Sequence, residues 1–229
     1  MNHLLFSPKM KLADIISTNY KLLLVLSRFN IHLGFGEKSV EEICNKQNIP
    51  VSLFLQICNV HTFEDYLPKE DELQTFGVDS LIAYLQTSHL YYTGKCLPGI
   101  KQQLNLIAQE GNSKPTRILQ GFYEDYQCEV LKHFNYEETI VFPYIRQIIH
   151  GSSTKAYSIT QFEKNHSNID EKLNDLKNII IKYLPDTGLP EELNSLLFQL
   201  FELENDFLKH TLIEDKILVP LVLQLEQKQ

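Results

Sequence analysis

Long apolar runs are missing from the start of the chain, where the longest strongly apolar stretch is Leu22 to Leu26, closed by Lys21 and Arg28. A membrane-spanning helix needs about 20 such residues, and no export signal is recognisable. Cysteine is scarce and scattered: Cys44, Cys58, Cys96 and Cys128 form no CxxC pair. That usage suits reduced thiols and argues against a disulfide framework. Basic charge is short as well, with 21 Lys and Arg against 29 Asp and Glu and a net charge of -8. Broad binding to phosphates needs a concentrated basic surface, so neither nucleic acid nor membrane is an expected partner. The expected location is the cytoplasm.

Glycine and proline, nine of each in 229 residues, are sparse and clustered. The clusters Gly111 to Pro115, Gly151 to Ser153 and Pro185 to Pro190 cut the C-terminal two thirds into four long segments. These run from about Asp79 to Glu110, Pro115 to His150, Ala156 to Leu184 and Pro190 to Glu226. Apolar residues recur in them at steps of three and four, as in Leu193, Leu196, Leu197, Leu200, Phe201, Phe207 and Leu208. That is the period of an amphipathic helix. Four long helices on short loops predict an all-α, up-down-up-down four-helix bundle over residues 78–229.

Residues 1–60 read as a separate small helical domain, with 61–77 as its linker to the bundle. Within it, Ser39 to Cys58 has the rhythm of helix, tight turn, helix. The second of these helices, starting near Pro50, offers Ser52 and Gln56 but no Arg or Lys before the linker. A DNA-reading module is therefore not expected, since phosphate contacts supply much of the affinity.

Two segments of the bundle repeat one another. His133 to Pro143 and His210 to Pro220 both read H-x3-E-[ED]-x4-P. Positions i and i+4 share one face of a helix, so His133 with Glu137, and His210 with Glu214, each project an imidazole and a carboxylate the same way. His89 precedes His133 by 44 positions, and His166 precedes His210 by the same interval. Residues so separated can face each other at one level of an antiparallel pair. His89 or His166 alone would pass for an ordinary core or surface histidine, and an isolated H-x3-E for an ordinary i,i+4 pair. The joint pattern puts one histidine on every predicted helix and two glutamates beside them, which predicts a dinuclear metal site. Imidazole mixed with carboxylate suits iron or manganese, whereas closed zinc sites usually include thiolates.

These residues resemble the hemerythrin superfamily, and more closely its RIC (repair of iron centres) or ScdA-type iron-sulfur cluster repair proteins. The match to the family's H-x3-E-E-x3-F-P motifs runs through His133 to Pro143, and through His210 to Pro220 with Asp215 and Val219 as departures. Leu97-Pro98 also follows the family pattern. The resemblance implies that His89, His133, His166 and His210 ligate two non-haem irons, bridged by Glu137 and Glu214 and by an oxo or hydroxo group. It further implies a diatomic ligand, NO or O2, and iron-sulfur cluster proteins as clients.

Upstream, Leu12 to Ile16 and Arg28 to Gly36 are similar to the family's N-terminal domain, but Gly34 and Phe35 stand where that domain carries a double cysteine. Loss of that pair removes a thiol-dependent step, and it leaves three tasks for one site: a nitric-oxide and repair protein, an oxygen-binding or oxygen-sensing module, or an iron store. Around the site, Tyr92, Tyr136 and Phe162 are candidate pocket walls. Glu129 reads either as a hydrogen-bond partner near His133 or as a solvent-facing residue, and Pro143 and Pro220 are expected to kink or end their helices. A bundle of this kind allows a homodimer, and the sequence marks no interface.

Overall fold

A computed structural model describes residues 5–73, 76–111, 114–151, 157–162, 167–185 and 188–227. The chain is all-α, and among the described residues the one β pairing is an isolated bridge between Lys11 and Ser39. The first helices are α1 (Leu12–Thr18), α2 (Leu22–Arg28), α3 (Val40–Lys46), α4 (Val51–Thr62) and α5 (Glu70–Leu73). Then come α6 (Val78–Tyr91), α7 (Leu97–Gly111), α8 (Lys114–Tyr136), α9 (Phe142–Ile149), α10 (Ser167–Asn178), α11 (Pro190–Ile213) and α12 (Val219–Gln227). Cα packing groups them into two compact units, Met1–Ser88 with Ile148–Ser153 and Lys209–Gln229, and His89–Gln147 with Thr154–Leu208.

In the first unit, α3 begins with a capping box. Ser39 Oγ accepts from the Glu42 amide at 3.3 Å, and Glu42 Oε2 accepts from the Ser39 amide at 2.7 Å. Two otherwise unsatisfied amides of the first turn are thereby paired. Asn48 at φ 57 then ends α3 in the left-handed region, and the Ile49 amide returns to the Cys44 carbonyl at 2.9 Å. The next helix, α4, is buried without interruption from Leu53 to His61, as befits a helix that is apolar nearly all round. Two of its polar side chains bond outside the helix: Asn59 Oδ1 accepts from the Phe6 amide at 3.0 Å, and Gln56 Nε2 donates to the Glu72 carbonyl at 2.9 Å. Beside them lies a buried polar chain. Arg28 Nη1 donates to the Tyr84 hydroxyl at 3.3 Å, and that hydroxyl lies 3.3 Å from His61 Nε2. The sequence pattern gave His61 no role; packing gives it this one.

The second unit holds one apolar core contributed by four helical stretches. Ile100, Leu104 and Ile107 come from α7, and Leu119, Tyr123, Tyr126 and Val130 from α8. Ile169, Leu173 and Leu176 come from α10, with Leu196, Leu200 and Leu203 from α11. Direction follows from the cross-links. Tyr123 donates to the Leu97 carbonyl at 2.6 Å while Gln120 Nε2 donates to Asn105 Oδ1 at 2.9 Å, so α8 descends as α7 ascends. Tyr92 bonds Asp206, and Gln103 bonds Gln199, which makes α11 antiparallel to the same rod. The predicted segments match these helices closely. The third is the exception: a 3-10 turn at Ile159–Gln161 precedes α10, which starts at Ser167.

Each of the four helical rods contains one wide, π-type turn: Tyr92–Cys96, Glu137–Val141, Ile179–Tyr183 and Glu214–Leu218. Each ends two residues before a proline, namely Pro98, Pro143, Pro185 and Pro220. The cause is steric. A proline has no amide proton and its ring collides with the carbonyl four residues back. The chain makes room before Pro98, Pro143 and Pro220 by letting the preceding amide reach five residues back, Leu97 to Tyr92, Phe142 to Glu137 and Val219 to Glu214, whereas the same bond from Leu184 to Ile179 closes a helix that ends there with Leu184 extended. Of the two expected outcomes, a kink or an end, Pro143 and Pro220 do not end their rods; each is preceded by a wide turn. The rods continue through them as α9 and α12.

Candidate metal centre

In the second unit, His89 lies near the end of α6, His133 near the end of α8, and Glu137 opens the wide turn that follows α8. His133 Nε2 stands 3.0 Å from Glu137 Oε1, and His89 Nε2 stands 3.0 Å from Glu137 Oε2. One carboxylate thus has a different imidazole at each oxygen. Its side chain is 0% exposed and both imidazoles are 5% exposed. The other ring nitrogen of His89, Nδ1, lies 2.8 Å from Glu138 Oε1.

Apolar rings hold these imidazoles in place. His89 stacks on Phe134 at 4.2 Å between ring centres and lies nearly parallel to Phe142 at 5.7 Å. His133 is parallel to Phe162, with an interplanar angle of 7°. Tyr92 stacks on Phe134 and donates from its hydroxyl to Asp206 Oδ2 at 2.7 Å. Of the expected pocket walls, Tyr92 and Phe162 stand among the ligand rings, while Tyr136 turns its hydroxyl to that of Tyr157 at 2.9 Å.

The first unit carries the other repeat. His210 Nε2 lies 2.9 Å from Glu214 Oε1, and both side chains are 0% exposed. Glu214, like Glu137, is the first residue of a wide turn. His166 lies outside the described residues. Glu129 resolves as a surface residue: it pairs with Lys132 at 3.3 Å and Lys172 at 3.7 Å.

Burying a carboxylate is costly unless positive charge and hydrogen bonds compensate it. Here the neighbours that could compensate are imidazoles, whose nitrogens also bind metals. The distances fit that use. Two donors each about 2.1 Å from one ion, set at a right angle, stand about 3.0 Å apart, close to the 2.9–3.0 Å of the three pairs that imidazole Nε2 makes with Glu137 and Glu214. His89 and Glu137 in one unit, and His210 and Glu214 in the other, are buried donors that could hold a metal ion. No thiol is among them.

The hemerythrin HHE cation-binding domain matches residues 99–222, a little over half of the chain. The chain belongs to the hemerythrin family. The matched region holds both H-x3-E-[ED] repeats and begins after His89. A hemerythrin HHE domain is a helical bundle that binds metal cations, which agrees with the all-α chain and its buried imidazole–carboxylate pairs. A search of the curated proteins found no match. Within the described residues, no helix is long and apolar enough to cross a membrane.

The sequence pattern missed Glu138, which faces His89 from 49 residues away. Its only signal was the second acidic position of the repeat.

Proposed function

We propose that this hemerythrin-family chain is a cytoplasmic non-haem di-iron protein that binds a diatomic ligand, NO or O2, at His89, His133, His166, His210, Glu137 and Glu214. The observation that carries the reading is the buried carboxylate of Glu137 between the imidazoles of His89 and His133, echoed by the buried His210–Glu214 pair.

The residues divide the work. Glu137 and Glu214 would bridge two ions, and the four histidines would complete two on each. Phe134, Phe142 and Phe162 exclude water from the imidazoles. The Tyr92 hydroxyl, donating to Asp206, is a proton-bearing group within the same buried layer. Bound iron would supply an open coordination position for the gas. The donor set, nitrogen and oxygen without sulfur, favours iron over zinc and admits manganese.

A role resembling iron-sulfur cluster repair under nitrosative stress is the first reading of the biology. Oxygen sensing is the second, and one observation favours it: the loop where the repair proteins carry two cysteines has Gly34 at φ +92 followed by Phe35, with no thiol. Metal content and visible spectra of anaerobically purified protein, before and after NO and then O2, test both. About two irons per chain with a stable NO product, and faster recovery of a damaged cluster enzyme, uphold the repair reading. A reversible change with air upholds the sensor. Protein without iron sinks both.

A further inference from the structure

We infer that Glu138 is a positioning residue for the metal, acting through His89. The inference rests on His89 being a ligand, as proposed above. The His89 ring stacks on Phe134 at 4.2 Å and lies nearly parallel to Phe142 at 5.7 Å, tilted from them by 22° and 12°. Packing against these rings restricts the plane of the imidazole and leaves a flip that exchanges its two nitrogens. Glu138 selects between the two orientations. Glu138 Oε1 lies 2.8 Å from Nδ1, placed to accept the proton of the tautomer protonated there. Nε2 is then the nitrogen that faces Glu137, at 3.0 Å, with its lone pair available to a cation. A ligating histidine whose other nitrogen donates to a carboxylate is both oriented and made a stronger base.

Glu138 reaches across from a neighbouring rod and its side chain is 32% exposed, so truncating it opens no core cavity.

The test uses E138A and E138Q in the full chain, with two readouts. Long-range nitrogen–proton NMR of the metal-free protein reports which ring nitrogen of His89 bears the proton. Chelator challenge of iron-loaded protein reports the rate of iron loss. Wild-type protein should show the proton on Nδ1. E138A should lose that preference and release iron about 10- to 100-fold faster, with an unchanged unfolding midpoint. E138Q, which keeps an acceptor, should retain the tautomer and lose iron at an intermediate rate. Wild-type protein that takes up no iron would sink the di-iron reading, and the tautomer in metal-free E138A would still decide the role of Glu138. An unaltered tautomer overturns it.

Discussion

Glu137 and Glu214 are 0% exposed, and each has an imidazole within 3.0 Å. Replacing either with alanine removes a buried carboxylate that the di-iron reading makes a metal donor. Each variant should drop from about two irons per chain to one or fewer, read by metal analysis; full occupancy in both would remove them from the ligand set. The thiols give a second test. Cys44 and Cys58 are buried, and burial pushes the Cys44 thiol up to about 12, whereas Cys128 is exposed. The thiolate is the reactive form, so at pH 8 a rise from 9.0 to about 12 cuts it about a thousand-fold. An aromatic disulfide reagent should modify Cys128 first and reach Cys44 and Cys58 only in denaturant; early labelling of Cys58 would contradict the packing of α4. At Tyr84, substitution with phenylalanine takes the hydroxyl from both Arg28 and His61. A cost of about 1–3 kcal/mol in urea unfolding is expected for a bond to a buried cation.

The helices were the most legible feature, because steps of three and four among leucines and phenylalanines predict amphipathic faces directly. Residues such as Leu196, Leu200, Leu203 and Phe207 occupy the core that this spacing requires. Ser39 and Glu42 show the same legibility at a helix start, and Ser39→Ala should destabilise the protein by about 1 kcal/mol, measured as a lower urea midpoint. The wide turns were not legible. Each inserts one residue into an otherwise regular stripe, and a proline reads as a breaker until packing shows that the rod continues past it. Glu138 escaped for another reason: helical period relates neighbours on one rod, and its partner His89 is on a different one. Arg28, Tyr84 and His61 likewise meet across 56 and 23 positions of sequence.

For the molecule as a whole, the metal and the fold should be coupled. Anything that binds the folded chain and not the unfolded one adds stability, about 2.7 kcal/mol at a free concentration a hundred times Kd. Iron-loaded protein should therefore melt at a higher temperature than chelated protein in the same buffer, and E137A should show little of that difference. Equal melting curves for loaded and stripped wild type would mean that the buried donors carry no ion. The histidine–glutamate repeat made half of this visible in the sequence: His133 with Glu137 and His210 with Glu214 are pairs that helix geometry alone brings together. That His89 closes on the free side of Glu137 required the folded chain.

Four prolines each fall two residues after a wide turn, and in two of the rods the turn opens on a motif glutamate. One residue of an ordinary helix advances the side chain by about 100°, so every such turn stores a single-residue insertion. Proline and extra residue form a linked pair: with Pro143 in place the rod keeps its extra residue, and without it nothing steric holds the wide turn open. Deleting Thr139 alone should turn α9 by about that angle relative to α8, taking Phe142 off the imidazole of His89, whereas deleting Thr139 together with Pro143→Ala gives the rod a way back to uniform winding.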